Sequence, residues 1–250
     1  MTDWLPPQAA LTGIAAFAAG GLNAVAGGGS FLTFPALVFA GVPPVAANAT
    51  SAMAVSPGYL GSALGFRPEL RSLPVALLRR EVSVAALGGA IGAGLLLATP
   101  AKLFSGLVPW LLLVATALFA LGPRLARLGS GQGQPGWRLP GLLGVSIYGG
   151  YFNGGLGILL MALYTLTGES RLNTANALKN LNSFVLSLLS VVAFAAAGAI
   201  VWPQALWMML WATAGGWAGA HLARRLPVLW VRRLVIATGL VMSGVFFSRA

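Results

Sequence analysis

A chain of 250 residues with 58% hydrophobic and 8% charged residues and a mean hydropathy of +0.85 lies outside the range of water-soluble domains and reads as a polytopic membrane protein. Its net charge of +11 would suggest a nucleic-acid partner in a soluble chain, but the arginines stand in short clusters between apolar runs, as membrane topology requires. The absence of cysteine excludes disulfides, iron–sulfur ligation and thiol chemistry, and one histidine with four acids leaves little for a metal centre or acid–base catalysis, so neither an enzyme nor a cofactor is expected.

The N-terminal Met-Thr-Asp-Trp lacks the basic region of a cleaved signal peptide. Residues 9–40 then form a charge-free stretch, well beyond the roughly 20 residues of one crossing. It is interrupted by Gly27-Gly28-Gly29-Ser30. Clustered glycines in lipid make non-helical backbone, which persists only inside protein or against a wet cavity. The spacing predicts two helical pieces folded back at the glycines. A turn at Gly41-Val42-Pro43-Pro44 leads to a span over 45–66, a basic loop carrying Arg67, Arg71, Arg79 and Arg80, and a span opened by Glu81 that ends near Pro100. Lys102 lies in the next turn, and a fourth span covers 103–121.

Residues 123–138, rich in Gly, Ser, Gln and Pro, read as a cytoplasmic linker between a first membrane repeat, 1–122, and a second, 139–250. A second charge-free stretch, 139–167, is broken at Asn153-Gly154-Gly155-Leu156-Gly157. Its pieces of about 14 residues reach only ~21 Å against a hydrocarbon core of ~30 Å, so the tip is expected inside the membrane. Spans over 172–197, to His221, and to Phe247 follow, with Arg224, Arg225, Arg232 and Arg233 before the last.

The halves repeat. Gly27-Gly28 is followed by Gly41 and Ala47-Asn48-Ala49, and Gly154-Gly155 by Gly168 and Ala175-Asn176-Ala177, at matching intervals. If both broken stretches crossed the bilayer once, Lys and Arg would be balanced across it. If the second returns to its own side, twelve arginines share one face and only Lys102 and Arg249 the other, with Lys179 inside a span. The predicted fold is therefore an all-α polytopic membrane protein of two inverted repeats, each a glycine-broken helical hairpin followed by three transmembrane helices. Hairpin one enters from outside and hairpin two from the cytoplasm.

A helix restarting after a glycine turn aims free N–H groups and the positive end of its dipole at the tip, a ready anion site; close helix packing would also use such glycines. Lys179 lies ~10 Å into its helix, where an ammonium costs about 2.5–3.5 kcal/mol. Either a substrate anion pairs with it, or its stem snorkels to the surface. Asn176 and Asn180 share its helix, and Asn48, Thr50 and Ser51 match them in the first half, Ser51 in the place of Lys179. These side chains suit an oxyanion or interhelical bonding equally. Asn23 and Asn153 flank the tips, where they line the site or cap broken backbone.

The run Leu22-Asn23-Ala24-Val25-Ala26-Gly27-Gly28-Gly29-Ser30-Phe31-Leu32, Pro35, the run Ala47-Asn48-Ala49-Thr50-Ser51 and the repeated second half resemble the sulfite exporter (TauE/SafE) family of membrane permeases over nearly the whole chain. The second tip departs from the first in having Leu156 where the first has Gly29. The resemblance implies export of small sulfur-containing anions, sulfite or organosulfonates, across the bacterial inner membrane. In that reading Gly27 to Ser30, Gly154, Gly155 and Lys179 hold the anion while Asn48, Thr50, Ser51, Asn176 and Asn180 shape the pocket. An anion channel with the same site and an uptake permease are the alternatives.

Overall fold

A computed structural model describes the backbone of residues 7–25, 27–128, 135–222 and 228–248. Among the described residues there is no strand. The α-helices are α1 Pro7–Val25, α2 Ser30–Phe39, α3 Pro44–Gly65, α4 Arg67–Arg71, α5 Val75–Ala98, α6 Ala101–Leu128, α7 Arg138–Tyr151, α8 Leu156–Leu166, α9 Leu172–Ala196, α10 Trp202–Leu222 and α11 Val228–Phe247. A single 3-10 turn, Pro135–Trp137, precedes α7.

Both charge-free stretches are broken at their glycines. Gly27 and Gly155 turn the chain with φ of 78° and 75°, a conformation that L side chains rarely adopt. The two tips differ in shape. The left-handed residue stands three positions before α2 but immediately before α8, because Leu156 already belongs to the helix that Gly29 only caps. The returning arms have 10 and 11 residues, so each spans only ~15–17 Å.

The expected linker is shorter than the composition suggested. α6 continues through Gly122 and Pro123 to Leu128, so residues 123–128 are helical; residues 129–134 lie outside the described residues. The good helix formers of Leu125-Ala126-Arg127-Leu128 extend the helix past a Gly-Pro pair that composition alone reads as a stop. The basic loop is also partly helical: α4 covers Arg67–Arg71, and Arg79 and Arg80 stand exposed in the first turns of α5.

Setting α4 aside, helices α1, α2, α3, α5 and α6 can be matched in order to α7, α8, α9, α10 and α11, and most of the packing is preserved when the two sets are exchanged, the contact of α3 with α6 being the exception. Helix α1 lies on α10 as α7 lies on α5; α3 lies on α10 as α9 lies on α5; α2 meets α11 as α8 meets α6; α3 packs on α9 and α6 on α11. In the two closest pairs backbone meets backbone. Gly20 lies on the Ala212 carbonyl and Gly215 on that of Phe17, while Gly150 lies on the Gly89 carbonyl and Gly92 on that of Ile147. Any side chain there would force the helices apart.

The hairpins have their bases at opposite ends of α9. Arg138, at the start of α7, and Tyr164, near the end of α8, both bond the carboxylate of Glu81, so that hairpin begins and ends at one place. Close by, Arg171 and Thr174 share a surface cavity of about 400 Å³ with Glu69 and Ser72. The base of the first hairpin lies by the turn after α9: the Trp207 indole N–H donates to the Ala9 carbonyl (3.0 Å), and the Val201 N–H donates to Thr50 Oγ1 (3.0 Å). Asn182, the α9 residue that reaches Glu81, stands 14 residues before the end of that helix at Ala196, ~21 Å along its axis.

Large apolar side chains such as Ile14, Leu64, Leu210 and Trp217 are exposed, whereas Glu81, Lys179 and Asn182 are buried. This inverts the pattern of a protein solvated by water. Among the described residues α5 and α9 are each long and apolar enough to cross a bilayer. Helix α3 is of similar length but carries Asn48, Thr50, Ser51, Ser56 and Pro57, and these polar residues are buried or nearly so against its neighbours.

Candidate functional site

The two tips meet. A methyl group on Gly27 would lie 3.2 Å from the Gly157 Cα, and one on Gly157 would lie 2.8 Å from the Gly27 carbonyl oxygen. Phe31, one residue into α2, covers Gly155, where a methyl would be 3.2 Å from the ring. Phe34 packs edge-on against Phe152 at 5.4 Å between centroids. Gly157 belongs to the second glycine motif but was not among the expected site residues; its role follows from facing Gly27, a contact across the two halves.

Lys179 reaches this junction. Its ammonium lies 3.7 Å from where a methyl on Gly27 would be, and the residue is 7% exposed. It makes no hydrogen bond or ion pair with any described residue. Asn180, 6% exposed, likewise bonds none of them. Ser51, which stands seven residues into α3 as Lys179 does in α9, bonds Thr33 (2.6 Å between hydroxyl oxygens), so of these two matching positions only the one in α9 carries a charge.

Around the junction the unsatisfied groups are mostly donors. Ser30 Oγ and Asn153 Nδ2 are buried and lack a hydrogen-bond partner. Tyr59 of α3 reaches both tips: its hydroxyl donates to Asn153 Oδ1 (3.4 Å) and lies beside Ser30. The peptide N–H groups of Gly154, Gly155 and Gly157, ahead of and inside the first turn of α8, have no partner among the described residues. Such a set suits an anion, because a buried donor gains most from an acceptor that carries charge.

Other expected residues have different duties. Asn23 Oδ1 accepts the Gly29 N–H (2.7 Å) and caps α2. Gly29 fits there because a methyl would lie 2.7 Å from the Ala19 carbonyl. The missing side chain of Gly28 faces Phe31, Ile158 and Leu22, an apolar setting rather than a hollow. Asn48 donates to the Tyr151 carbonyl (3.0 Å) and so ties α3 to the end of α7. Thr50 holds the turn before α10 through Val201, away from the tips. Asn176 donates to the Leu172 carbonyl of its own helix (3.1 Å). Gly154 offers its carbonyl to the Tyr148 hydroxyl (2.8 Å).

A second polar cluster escaped the sequence reading. Glu81 is fully buried and accepts from Arg138 Nε (2.7 Å), the Tyr164 hydroxyl (2.9 Å) and Asn182 Nδ2 (2.8 Å). These partners lie 57, 83 and 101 residues away in sequence, so no local pattern reveals them. Among the described residues no three metal-ligating side chains converge.

The family model described as Sulfite exporter TauE/SafE matches residues 12–246. A probable membrane transporter protein of Haemophilus influenzae is 30% identical over 236 residues, covering 91% of this chain and 90% of the relative. The probable membrane transporter protein ORF9 of a Sinorhizobium species is 26% identical, covering 92% and 88%. The probable membrane transporter protein YfcA of Escherichia coli K12 is also 26% identical, covering 92% and 86%. No solved structure matches.

Proposed function

Because the chain belongs to the sulfite exporter TauE/SafE family, we propose that it is a secondary transporter that exports a small sulfur-containing anion, sulfite or an organosulfonate, across the bacterial inner membrane by alternating access. One observation carries this reading: a buried, unpaired ammonium stands where two broken helices touch, among donors that lack acceptors. The anion sits against Lys179, with the Gly154 to Gly157 amides, Asn153 and Ser30 completing its shell. Two hairpins with bases at opposite ends of α9 allow the site to open first to one face and then to the other. Counterflow of radiolabelled sulfite in proteoliposomes tests it. Stimulation of uptake by sulfite on the far side is expected of a carrier; flux indifferent to it identifies a channel.

In this reading the halves are inverted repeats, with the Arg67 to Arg80 region and the base of the second hairpin both cytoplasmic. The chain contains no cysteine, which makes the arrangement easy to test. Glu169→Cys and Ser72→Cys are expected to react with a membrane-impermeant maleimide from the same side, and Gly198→Cys from the other. Labelling of Glu169→Cys and Ser72→Cys from opposite sides restores a second stretch that crosses the bilayer. Ser130→Cys, in the linker, offers the same comparison but lies outside the described residues.

A further inference from the structure

The geometry points to Glu81 as a proton-binding site that couples transport of the anion to movement of a proton, an inference that rests on the transport reading above. Glu81 lies six residues past the start of α5 and is wholly buried, and the groups around it can bond it in two ways that differ by one proton. In the first, the carboxylate accepts from Arg138, Tyr164 and Asn182, and the Asn182 amide N–H₂ also donates to the Tyr164 hydroxyl (2.6 Å). That pattern leaves Asn182 Oδ1 buried without a donor and Arg138 Nη2 buried without an acceptor.

The spare acceptor belongs to the second pattern. A protonated Glu81 becomes a donor and needs an acceptor within reach. Turning the Asn182 amide over brings Oδ1 to the place that Nδ2 now occupies, so the carboxylic acid O–H donates to it. The proton enters at a carboxylate oxygen and leaves by the same atom; no other bond is made or broken. Arg138 is the partner nearest the surface, its side chain 16% exposed against 0% for Glu81. When its guanidinium turns out to water, the carboxylate is left unpaired in an apolar interior, a state that neutralisation relieves.

The groups facing Glu81 are Arg138 from α7 and Tyr164 from α8, with the Arg138 guanidinium 5.2 Å over the Tyr164 ring. From α9 comes Asn182, with Lys179 one turn away; Arg79 and Arg80 on its own helix are exposed. Asn182 follows Lys179 by three residues, so the two stand on adjacent turns of one face. A change at Glu81 thereby reaches the anion site through one rigid helix. Both arms of the second hairpin share the carboxylate, so protonation also loosens the base of that hairpin. At the first hairpin the corresponding place is held by the neutral bond from Trp207 to Ala9, so the proton acts at one end of the molecule.

Two measurements on the full chain test this. Infrared difference spectra of the purified protein between acidic and neutral pH are expected to show protonated carboxyl absorption of which Glu81→Gln removes one component, the other three acids contributing the rest; wild-type and variant spectra that coincide in that region overturn the proposal whatever the anion. In proteoliposomes with radiolabelled sulfite, Glu81→Gln is expected to retain counterflow and to lose accumulation driven by a pH gradient by about 5- to 150-fold, the usual range of coupling between sites. Undiminished accumulation overturns it. A variant that merely loosened the fold would lose both activities together. Should Glu81→Gln fail to fold, Glu81→Asp is expected to move the frequency of that carboxyl component, and an unchanged spectrum overturns the proposal. Absence of sulfite counterflow in the wild type counts against the transport reading, while the infrared band alone decides proton binding at Glu81.

Discussion

Lys179→Ala is expected to abolish sulfite binding while leaving a folded and slightly more stable protein. The reasoning begins with what the ammonium lacks. It is 7% exposed and bonds no described residue, so it bears the cost of leaving water without an internal counter-charge. At the centre of a helix in a membrane that cost is about 2.5–3.5 kcal/mol, and alanine removes it. In the proposed reading the anion is the compensating partner. Removing one member of a buried, hydrogen-bonded charge pair costs roughly 2–5 kcal/mol in binding, or about 30- to several-thousand-fold in affinity. In the wild type, sulfite at about a hundred times its Kd adds ~2.7 kcal/mol to stability. The check is thermal unfolding with and without sulfite: a large shift in Tm for the wild type, none for Lys179→Ala, and an unliganded Tm for the variant at or above that of the wild type. A variant that keeps the sulfite shift shows that the ammonium has no part in binding.

Lys179 was legible in the sequence because a lone cation within an apolar helix has few explanations. The breaks in the two hairpins were legible for a similar reason, since charge-free stretches of that length cannot cross once and the glycine clusters mark where they turn. Asn48, Thr50, Ser51 and Asn176 looked just as suggestive. Yet Asn48 ties down α7, Thr50 a turn, Ser51 a neighbouring hydroxyl and Asn176 its own helix. A polar side chain on an apolar helix looks the same in sequence whether a ligand or a neighbouring helix satisfies it. Glu81 was hidden for the opposite reason. It follows Arg79 and Arg80 and reads as the rim of a basic loop, although α5 begins at Val75 and carries it well inside.

The asymmetry between the halves bears on mechanism. The exchangeable packing of α1 on α10 and α7 on α5 gives the hairpins equivalent surroundings, but their chemistry differs. The second hairpin contributes the unbonded amides and Asn153, and α9 the ammonium, whereas Asn23 caps the start of α2 and Ser51 bonds Thr33. In the transport reading proposed above, a single fixed charge suits a small anion that must also leave. A second lysine at position 51 would tighten binding and slow release.

Gly157→Leu is expected to reduce sulfite transport by about a hundredfold, while Gly28→Ala, a change within the more conspicuous glycine cluster, is expected to be nearly silent. At Gly157 even a methyl group would lie 2.8 Å from the Gly27 carbonyl oxygen and 3.0 Å from its Cα, so the obstacle is backbone and cannot turn aside. Gly27 cannot easily yield, since its φ of 78° is fixed by the turn that ends the first arm. The hairpins must therefore separate at the point where Lys179 meets them. Overpacking of this kind costs about 1–3 kcal/mol in stability, which a large helical protein can tolerate. A displacement of ~1 Å in a binding constellation can cost about 10²-fold in rate. At Gly28 the nearest atoms are Phe31 Cδ2 at 3.4 Å and side-chain carbons of Ile158 and Leu22 at 3.8 Å, ordinary contact distances in an apolar setting. Counterflow by the two variants in parallel, with Gly157→Ala between them, reads out the contact itself. Loss ordered Leu, then Ala at 157, with Gly28→Ala near wild type, identifies the touching backbones of Gly27 and Gly157 as the element that shapes the site. Equal tolerance at both positions would mean that the tips part during transport without their contact mattering to the anion.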